Sequence, residues 1–278
     1  MHDTVLITKA TGEKEPFEPH KLKHSLLRAK ASSELADKII SHIELELKDG
    51  ISTKEIYSHA FELLEREQKP AAIRYSLRNA VMDMGPTGFP FENLISEIWR
   101  AKGFETTTDF IATGKCVDHE IDVVAWNENK LIMVEAKFHN EFGLKSDLKA
   151  VLYVNSRWED LKDKTFDFGK QRNLDEGWLV TNTKFSEQAI KYAKCRGMKL
   201  IGWNYPAEGN LQDLIEDTGL HPITSLLSLS SREKRSLMES GVIHLRQILA
   251  NKDILNQAGV SLGKMEKVMQ EIEMVGLK

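Results

Sequence analysis

Apolar and polar positions along the chain change period several times, and each change marks an element. Two short apolar runs over 121–126 and 131–134 flank Asn127-Glu128-Asn129-Lys130, a pattern that predicts a β-hairpin at the centre of the chain. Toward the N-terminus, residues 4–8 and 15–17 predict a shorter hairpin around Thr11-Gly12. Four helices are expected after it. The first starts at Pro19, and the second covers 34–48 and stops at Asp49-Gly50. The third covers 56–67 behind the capping box Ser52-Thr53-Lys54-Glu55, and the fourth runs from Pro70 to Met84 before Gly85-Pro86. Beyond the central hairpin, a helix from Ser146 to Leu161 places Leu148, Val151, Leu152 and Leu161 toward a core. Near-continuous apolar runs at 177–182 and 198–203, with a helix over 186–196 between them, predict a β-α-β unit in a buried mixed sheet. The last segment is helical in pattern throughout.

These elements divide 278 residues into parts with separate cores: 1–86, 87–206, a linker at 207–222 with one short helix, and 223–278. The fold class expected is α/β multidomain: an N-terminal hairpin with four helices, a central mixed sheet flanked by helices, and a small helical domain. No apolar run is long enough to cross a membrane, and the opening Met-His-Asp-Thr-Val-Leu-Ile-Thr-Lys is no secretory core, so a cytoplasmic location is expected. Cys116 and Cys195 are far apart and lack metal-ligand spacing; they read as incidental reduced thiols, and their number excludes a zinc finger. The net charge of −4 gives no general basic footprint for nucleic acid, and residues 87–220 carry 17 basic against 22 acidic side chains.

Charge placement matters more than charge total. If residues 127–130 form the loop, pairing counts outward from Trp126 with Leu131 to Val123 with Val134 and then Asp122 with Glu135. Directly opposed residues share a face roughly 5 Å apart. Lys137 lies on that same face about 6.6 Å further along the strand. Two carboxylates and an ammonium then interrupt an otherwise apolar hairpin, where unpaired charge is costly. A divalent cation between the carboxylates is a suitable partner, and Mg²⁺ commonly takes one or two carboxylates while keeping several waters.

Asp122, Glu135, Ala136 and Lys137 follow the pattern of the PD-(D/E)xK nuclease superfamily, and the flanks resemble its Mrr-type restriction endonuclease branch. The resemblance extends over 87–206. It includes a preceding helix with Phe91-Glu92-Asn93-Leu94-Ile95, then Gly177-Trp178-Leu179-Val180-Thr181-Asn182 and Lys199-Leu200-Ile201-Gly202-Trp203. It implies a DNA endonuclease in which Asp122 and Glu135 hold Mg²⁺ or Mn²⁺, helped by the Ala136 carbonyl and by Glu92. Lys137 then acts on the attacking water. The chain departs from many relatives at His119-Glu120, where they have glycines. On the following helix, Lys149, Tyr153 and Arg157 recur at i, i+4 and i+8 and are expected to hold phosphates of bound DNA.

The N-terminal part resembles the ATP-cone, a regulatory nucleotide-binding module. The matching residues are Val5-Leu6-Ile7-Thr8-Lys9, Gly12, Glu15-Pro16-Phe17, Lys21, Asp49-Gly50-Ile51-Ser52-Thr53, Arg74-Tyr75 and Leu77. The resemblance implies binding of ATP or dATP, with Lys9 and Lys21 on phosphates and Thr53 near the base or ribose; Ala10 stands where the family usually has Arg. Arg74 and Arg78, one helical turn apart, are expected to face the same pocket. Nucleotide is expected to control cutting or assembly of a homo-oligomer. The C-terminal segment resembles a divergent helix-hairpin-helix module, with a dimerisation or docking domain as the alternative. A rival reading of the whole chain is a nucleotide-sensing DNA-binding protein whose nuclease fold is silent.

Overall fold

The computed structural model describes residues 5–277. Thr4, with which the first predicted strand opens, lies outside the described residues. Strands β1 (Leu6–Thr8) and β2 (Lys14–Pro16) pair antiparallel with Ile7 opposite Glu15. The turn at 49–51 locks onto β1: the Leu6 amide donates to Asp49 Oδ1 at 3.0 Å, and the Thr8 amide donates to the Ile51 carbonyl at 2.9 Å. Helices α1 (Pro19–Arg28), α2 (Ser33–Glu46) and α3 (Thr53–Glu67) follow, with Pro19 in the first turn of α1 and a complete Ser52/Glu55 capping box on α3. The expected fourth helix is two helices, α4 (Lys69–Tyr75) and α5 (Leu77–Met82). Between them the Ser76 hydroxyl donates to the Ile73 carbonyl at 2.9 Å, a local bond of the kind that competes with helix continuation. Leu26, Ile39, Ile43, Ala60 and Leu64 form the core of this unit.

Helix α6 (Phe89–Ala101) opens the central unit and is followed by β3 (Glu105–Thr113), β4 (Asp118–Trp126), β5 (Leu131–Lys137) and β6 (Lys145–Ser146). Helix α7 (Leu148–Leu161), the hairpin β7 (Thr165–Asp167) and β8 (Gln171–Asn173), and β9 (Glu176–Thr181) come next. Then come β10 (Lys184–Phe185), α8 (Glu187–Arg196), β11 (Lys199–Ile201) and α9 (Leu211–Thr218). The main sheet has order β11-β9-β5-β4-β3, antiparallel from β3 to β5 and parallel from β5 through β9 to β11. It is mixed and covered on both faces. Phe91, Leu94 and Ile98 of α6 pack with Leu211 and Ile215 of α9 on one side, and Val151, Val154 and Ala189 of α7 and α8 fill the other. Residues 207–222, expected as a linker, therefore contribute Leu211, Leu214, Ile215 and Leu220 to the α6 core. Apolar spacing in so short a helix gives no sign of what covers it.

Helices α10 (Ser231–Glu239), α11 (Leu245–Ala250), α12 (Asp253–Gln257) and α13 (Leu262–Val275) complete the chain. Glu271, 1% exposed, accepts from the amides of Leu227 and Ser228 and pairs with Lys69 at 2.9 Å. Ile73 of α4 lies in the same core as Leu245 and Val268, so the N-terminal unit is seated on the C-terminal helices.

His221, at the junction of these parts, is 4% exposed. Burial first, then the positive charges of Arg74 and Lys30, push its pKa from 6.5 to about 4, against a smaller opposing pull from the Gly219 backbone. A buried imidazole that must stay neutral makes stability fall with acid. The contribution is complete above pH 6.5 and is lost as pH drops toward 4, by which point the loss reaches about 3 kcal/mol. Urea unfolding across that interval should show this slope in the parent protein and a flatter one in His221→Gln; parallel slopes would remove His221 from the account.

Candidate active site

The central hairpin closes as its sequence requires. Asn127 Oδ1 accepts from the amides of Asn129 and Lys130 at 2.9 and 3.0 Å, which fixes the loop, and Trp126 pairs with Leu131. The ladder continues to Val123 opposite Val134 and stops there, one pair short of the expected Asp122 and Glu135. Beyond it Asp122 Oδ2 accepts from the Ala136 amide at 2.7 Å, so a side chain takes over from backbone pairing. Alternation along the strands puts Asp122 and Glu135 on the face of Val124 and Met133, both in the α7–α8 core. Lys137 shares the parity of Glu135, is exposed, and lies opposite Thr181 of β9.

Glu92 reaches this centre from the first turn of α6. Its carboxyl folds back over Gly88, where an added Cβ would lie 2.7 Å from Glu92 Oε1. A helix N-terminus favours ionised carboxylates by about 0.3–1 kcal/mol. Burial, followed by the charges of Asp122, Asp109, Glu135 and Glu120, outweighs that and lifts Glu92 to about 7. Glu135 is likewise raised to about 7, by burial and then by Asp122, against the opposing charges of Arg157 and Lys137. Asp122 is raised by burial, with the Ala136 amide and Arg157 pulling the other way. Several carboxylates thus share a partly dry place with too little positive charge.

Two of those acids have no part in the sequence pattern. Asp109 lies in β3 between Thr108, paired with Val123, and Phe110, paired with Ile121, so it faces Asp122 across the strands. Its φ of 53° is left-handed, a conformation Asp tolerates better than most residues. Glu120 has the parity of Asp122, whereas His119 turns to Asp160 at 2.9 Å and ties the start of β4 to α7. A lone Asp between threonines and Phe-Ile-Ala was the only available hint for Asp109.

The stripe on α7 divides. Lys149 is exposed and Tyr153 is 60% exposed, but Arg157 is 7% exposed in its side chain and pairs with Glu135, its guanidinium 5.4 Å from the Tyr153 ring centre. The expectation that Arg157 holds DNA phosphate is corrected, because α7 lays that turn against the sheet. Leu152, expected in the core, is 39% exposed; Val154 and Asn155 are buried in its stead.

The proposed nucleotide residues also separate. Lys9 and Lys21 converge on Glu15 Oε2 at 2.7 and 3.8 Å. Thr53 is half-buried at the start of α3, beside the Thr8–Ser52 bridge. Arg74 donates to the Val275 carbonyl at 3.1 Å, while Arg78 lies over Phe142 at 5.4 Å. The two arginines do not face one pocket, since the helix break at Ser76 sends them to different neighbours.

Among the described residues, three donor side chains lie within 4.8 Å of one another at His42, Glu46 and His59, on the exposed faces of α2 and α3. Glu92, Asp122 and Glu135 are not drawn that tight: Arg157 holds one carboxylate and the Ala136 amide another. Their chemistry nevertheless fits a divalent cation. Carboxylate oxygens are the ligands a hard ion takes, and a bound ion would offset both causes that raise Glu92 and Glu135, burial first and then the repulsion between neighbouring carboxylates.

Comparison with known proteins agrees with this architecture. Family profiles match in three consecutive parts: ATP cone domain over residues 5–78, restriction endonuclease over 85–204, and AF1548-like C-terminal over 221–275. An uncharacterised protein of Archaeoglobus fulgidus is 38% identical over 174 residues, spanning 62% of this chain and 94% of that one. The crystal structure of AF1548, a protein of unknown function, superposes with a TM-score of 0.56 at 33% identity, covering 68% of this chain and 99% of that one. The chain belongs to the AF1548 family. This member of the AF1548 family fuses an ATP-cone to the restriction endonuclease-like and C-terminal parts. The MspJI restriction endonuclease bound to a 27-mer oligonucleotide is also similar, at TM-score 0.32 and 16% identity over 53% of this chain and 35% of that one, too distant to carry an argument. No described helix is long and apolar enough to cross a membrane.

Proposed function

We propose that the protein is a divalent-metal-dependent DNA endonuclease whose activity is controlled by ATP or dATP bound to the N-terminal cone. The observation that carries this reading is the convergence of Glu92, Asp122 and Glu135 in one field of mutual repulsion, with Lys137 on the face of Glu135. Bound Mg²⁺ or Mn²⁺ would polarise the phosphodiester and acidify a coordinated water. Asp122 and Glu135 would hold the ion, with the Ala136 carbonyl and Glu92 as further ligands. Lys137 orients the attacking water and offsets the charge that builds on the phosphate oxygens as the P–O bond breaks. Exposed Lys149 and Tyr153 offer contacts to the DNA backbone.

The rival reading, a DNA-binding protein that does not cut, draws on the Arg157–Glu135 pair, which occupies one carboxylate oxygen. Incubation with supercoiled, methylated, branched and single-stranded DNA separates the two. Cleavage should require Mg²⁺ or Mn²⁺, vanish with chelator, and vanish in Asp122→Asn. ATP or dATP should change the cutting rate or the oligomeric state by light scattering without being hydrolysed. Binding without cutting on every substrate would favour the rival.

A further inference from the structure

Five cations, Lys9, Lys21, Arg78, Lys145 and Lys184, gather where the cone meets the nuclease domain, and the last two were not candidates from the sequence. Lys145 of β6 and Lys184 of β10 are paired residues on adjacent parallel strands, so their side chains leave the same edge of the nuclease domain. That edge faces the cone. Arg78 of α5 lies over Phe142, three residues before Lys145. Gly143 is so close to the β1–β2 turn that a Cβ there would stand 2.9 Å from Thr11 Cγ2 and 3.6 Å from Ala10 Cβ, and its φ of +88° also requires glycine. Lys184 keeps an exposed surface, yet its ammonium is held below the usual lysine range, by partial loss of water first and then by Arg78, Lys145, Lys9 and Lys21. The acids within ion-pair reach, Glu13, Glu15 and Glu18, are on the cone side and engaged with Lys9 and Lys21. Among the described residues Lys145, Lys184 and Arg78 form no ion pair, and buried Arg78 Nε has no hydrogen-bond partner.

Like charges crowded at a partly dry junction repel one another unless an anion joins them. A compact anion with several charges suits this place better than a duplex, whose phosphates run along exposed surface. We propose that the phosphate chain of a nucleoside triphosphate is held jointly by both domains, by Lys9 and Lys21 of the cone together with Lys145 and Lys184 of the nuclease domain. The inference rests on the reading of the cone as a nucleotide site and adds the second domain to it. It also supplies a route for control. Residues 138–144 are all that separates Lys145 from Lys137, and this segment is fastened at several points. Phe138 packs on Phe91 with ring centres 5.5 Å apart, the His139 amide and carbonyl both bond to the Asn182 side chain at 2.9 Å, and Asn140 donates to the Pro86 carbonyl at 3.0 Å. Phosphates at Lys145 therefore bear on a segment whose other end carries Lys137, and these contacts would have to shift together for nucleotide to move that end.

The test is calorimetric titration of the full-length protein with ATP and with AMP, comparing wild type, Lys9→Gln and Lys145→Gln/Lys184→Gln. Both nuclease-domain lysines are exposed, and a thermal melt checks that the double variant is folded. The expected result is ATP affinity lowered about tenfold or more in the double variant, as for loss of charge-assisted hydrogen bonds, with AMP affinity changed less than about twofold. ATP affinity equal to wild type in the double variant, with Lys9→Gln weakened, overturns the joint site and leaves the cone reading standing. No ATP binding by wild type overturns both. If the double variant loses affinity for a DNA duplex in an anisotropy titration while ATP binding is unchanged, the cations belong to DNA and the proposal fails.

Discussion

Lys137→Ala is expected to lower the initial rate of plasmid nicking by about 10²–10³-fold, the usual loss when one preorganised donor to a developing negative charge is removed. The fold should hardly notice. Lys137 is exposed at the end of β5 and forms no ion pair among the described residues, and surface changes of this kind are usually worth within about 0.5 kcal/mol. Its field is a minor influence on Glu135, behind burial, Asp122 and Arg157, so the carboxylates should keep their affinity for a divalent cation. Asp122→Asn is the contrasting variant. It replaces a proposed ligand and the acceptor of the Ala136 amide, and should weaken cation binding along with cleavage. Calorimetric titration with Mn²⁺ beside a nicking assay separates the two variants. Cleavage that survives in both would mean that neither residue belongs to the chemistry.

The parts of this site legible in the sequence were those set by local rules. Loop chemistry at Asn127 fixes the register from Trp126 and Leu131, and strand parity then places Asp122, Glu135 and Lys137 on one face without knowledge of any other element. The capping box at Ser52 and the left-handed Gly197 that ends α8 are local in the same sense. What was missed depends on contacts between distant segments. Strand β3 reads as polar because it is an edge strand with much of its surface exposed, so Asp109 could not be set opposite Asp122. Arg157 was grouped with Lys149 and Tyr153 as a phosphate contact because helical spacing names a face but not what covers it. The same limit hid the packing of α9, whose Leu211, Leu214 and Ile215 lie in the core beneath α6. Lys145 and Lys184 are isolated lysines until a two-residue parallel bridge makes them neighbours.

Arg157→Met is the change expected to expose most directly how the acidic centre is held. Methionine keeps much of the volume of the buried stem and removes the charge that pairs with Glu135. Breaking one side of a buried ion pair typically costs about 3–5 kcal/mol, because the remaining charge is left uncompensated. Here a carboxylate can escape by taking up a proton, and the cost therefore depends on pH. In the parent protein Glu135 has a folded pKa near 7 against 4.5 when exposed. A raised carboxylate pKa weakens folding as pH climbs from 4.5 to about 7, after which the penalty is constant. Without Arg157 the folded pKa moves higher still, and Asp122, lowered by the same guanidinium, moves with it. Between pH 4.5 and 7 both proteins then lose stability in parallel. Above pH 7 only the variant continues to lose it, so the gap between the two proteins widens as pH rises. Urea unfolding at pH 6 and 8.5, without divalent cations, measures that widening gap, and adding Glu135→Gln to the variant should close most of it. A gap of the same size at both pH values would show that Arg157 stabilises the fold by packing alone. If the gap does widen, Mn²⁺ should narrow it, since an ion bound by Asp122 and Glu135 would supply the positive charge that Arg157 otherwise provides.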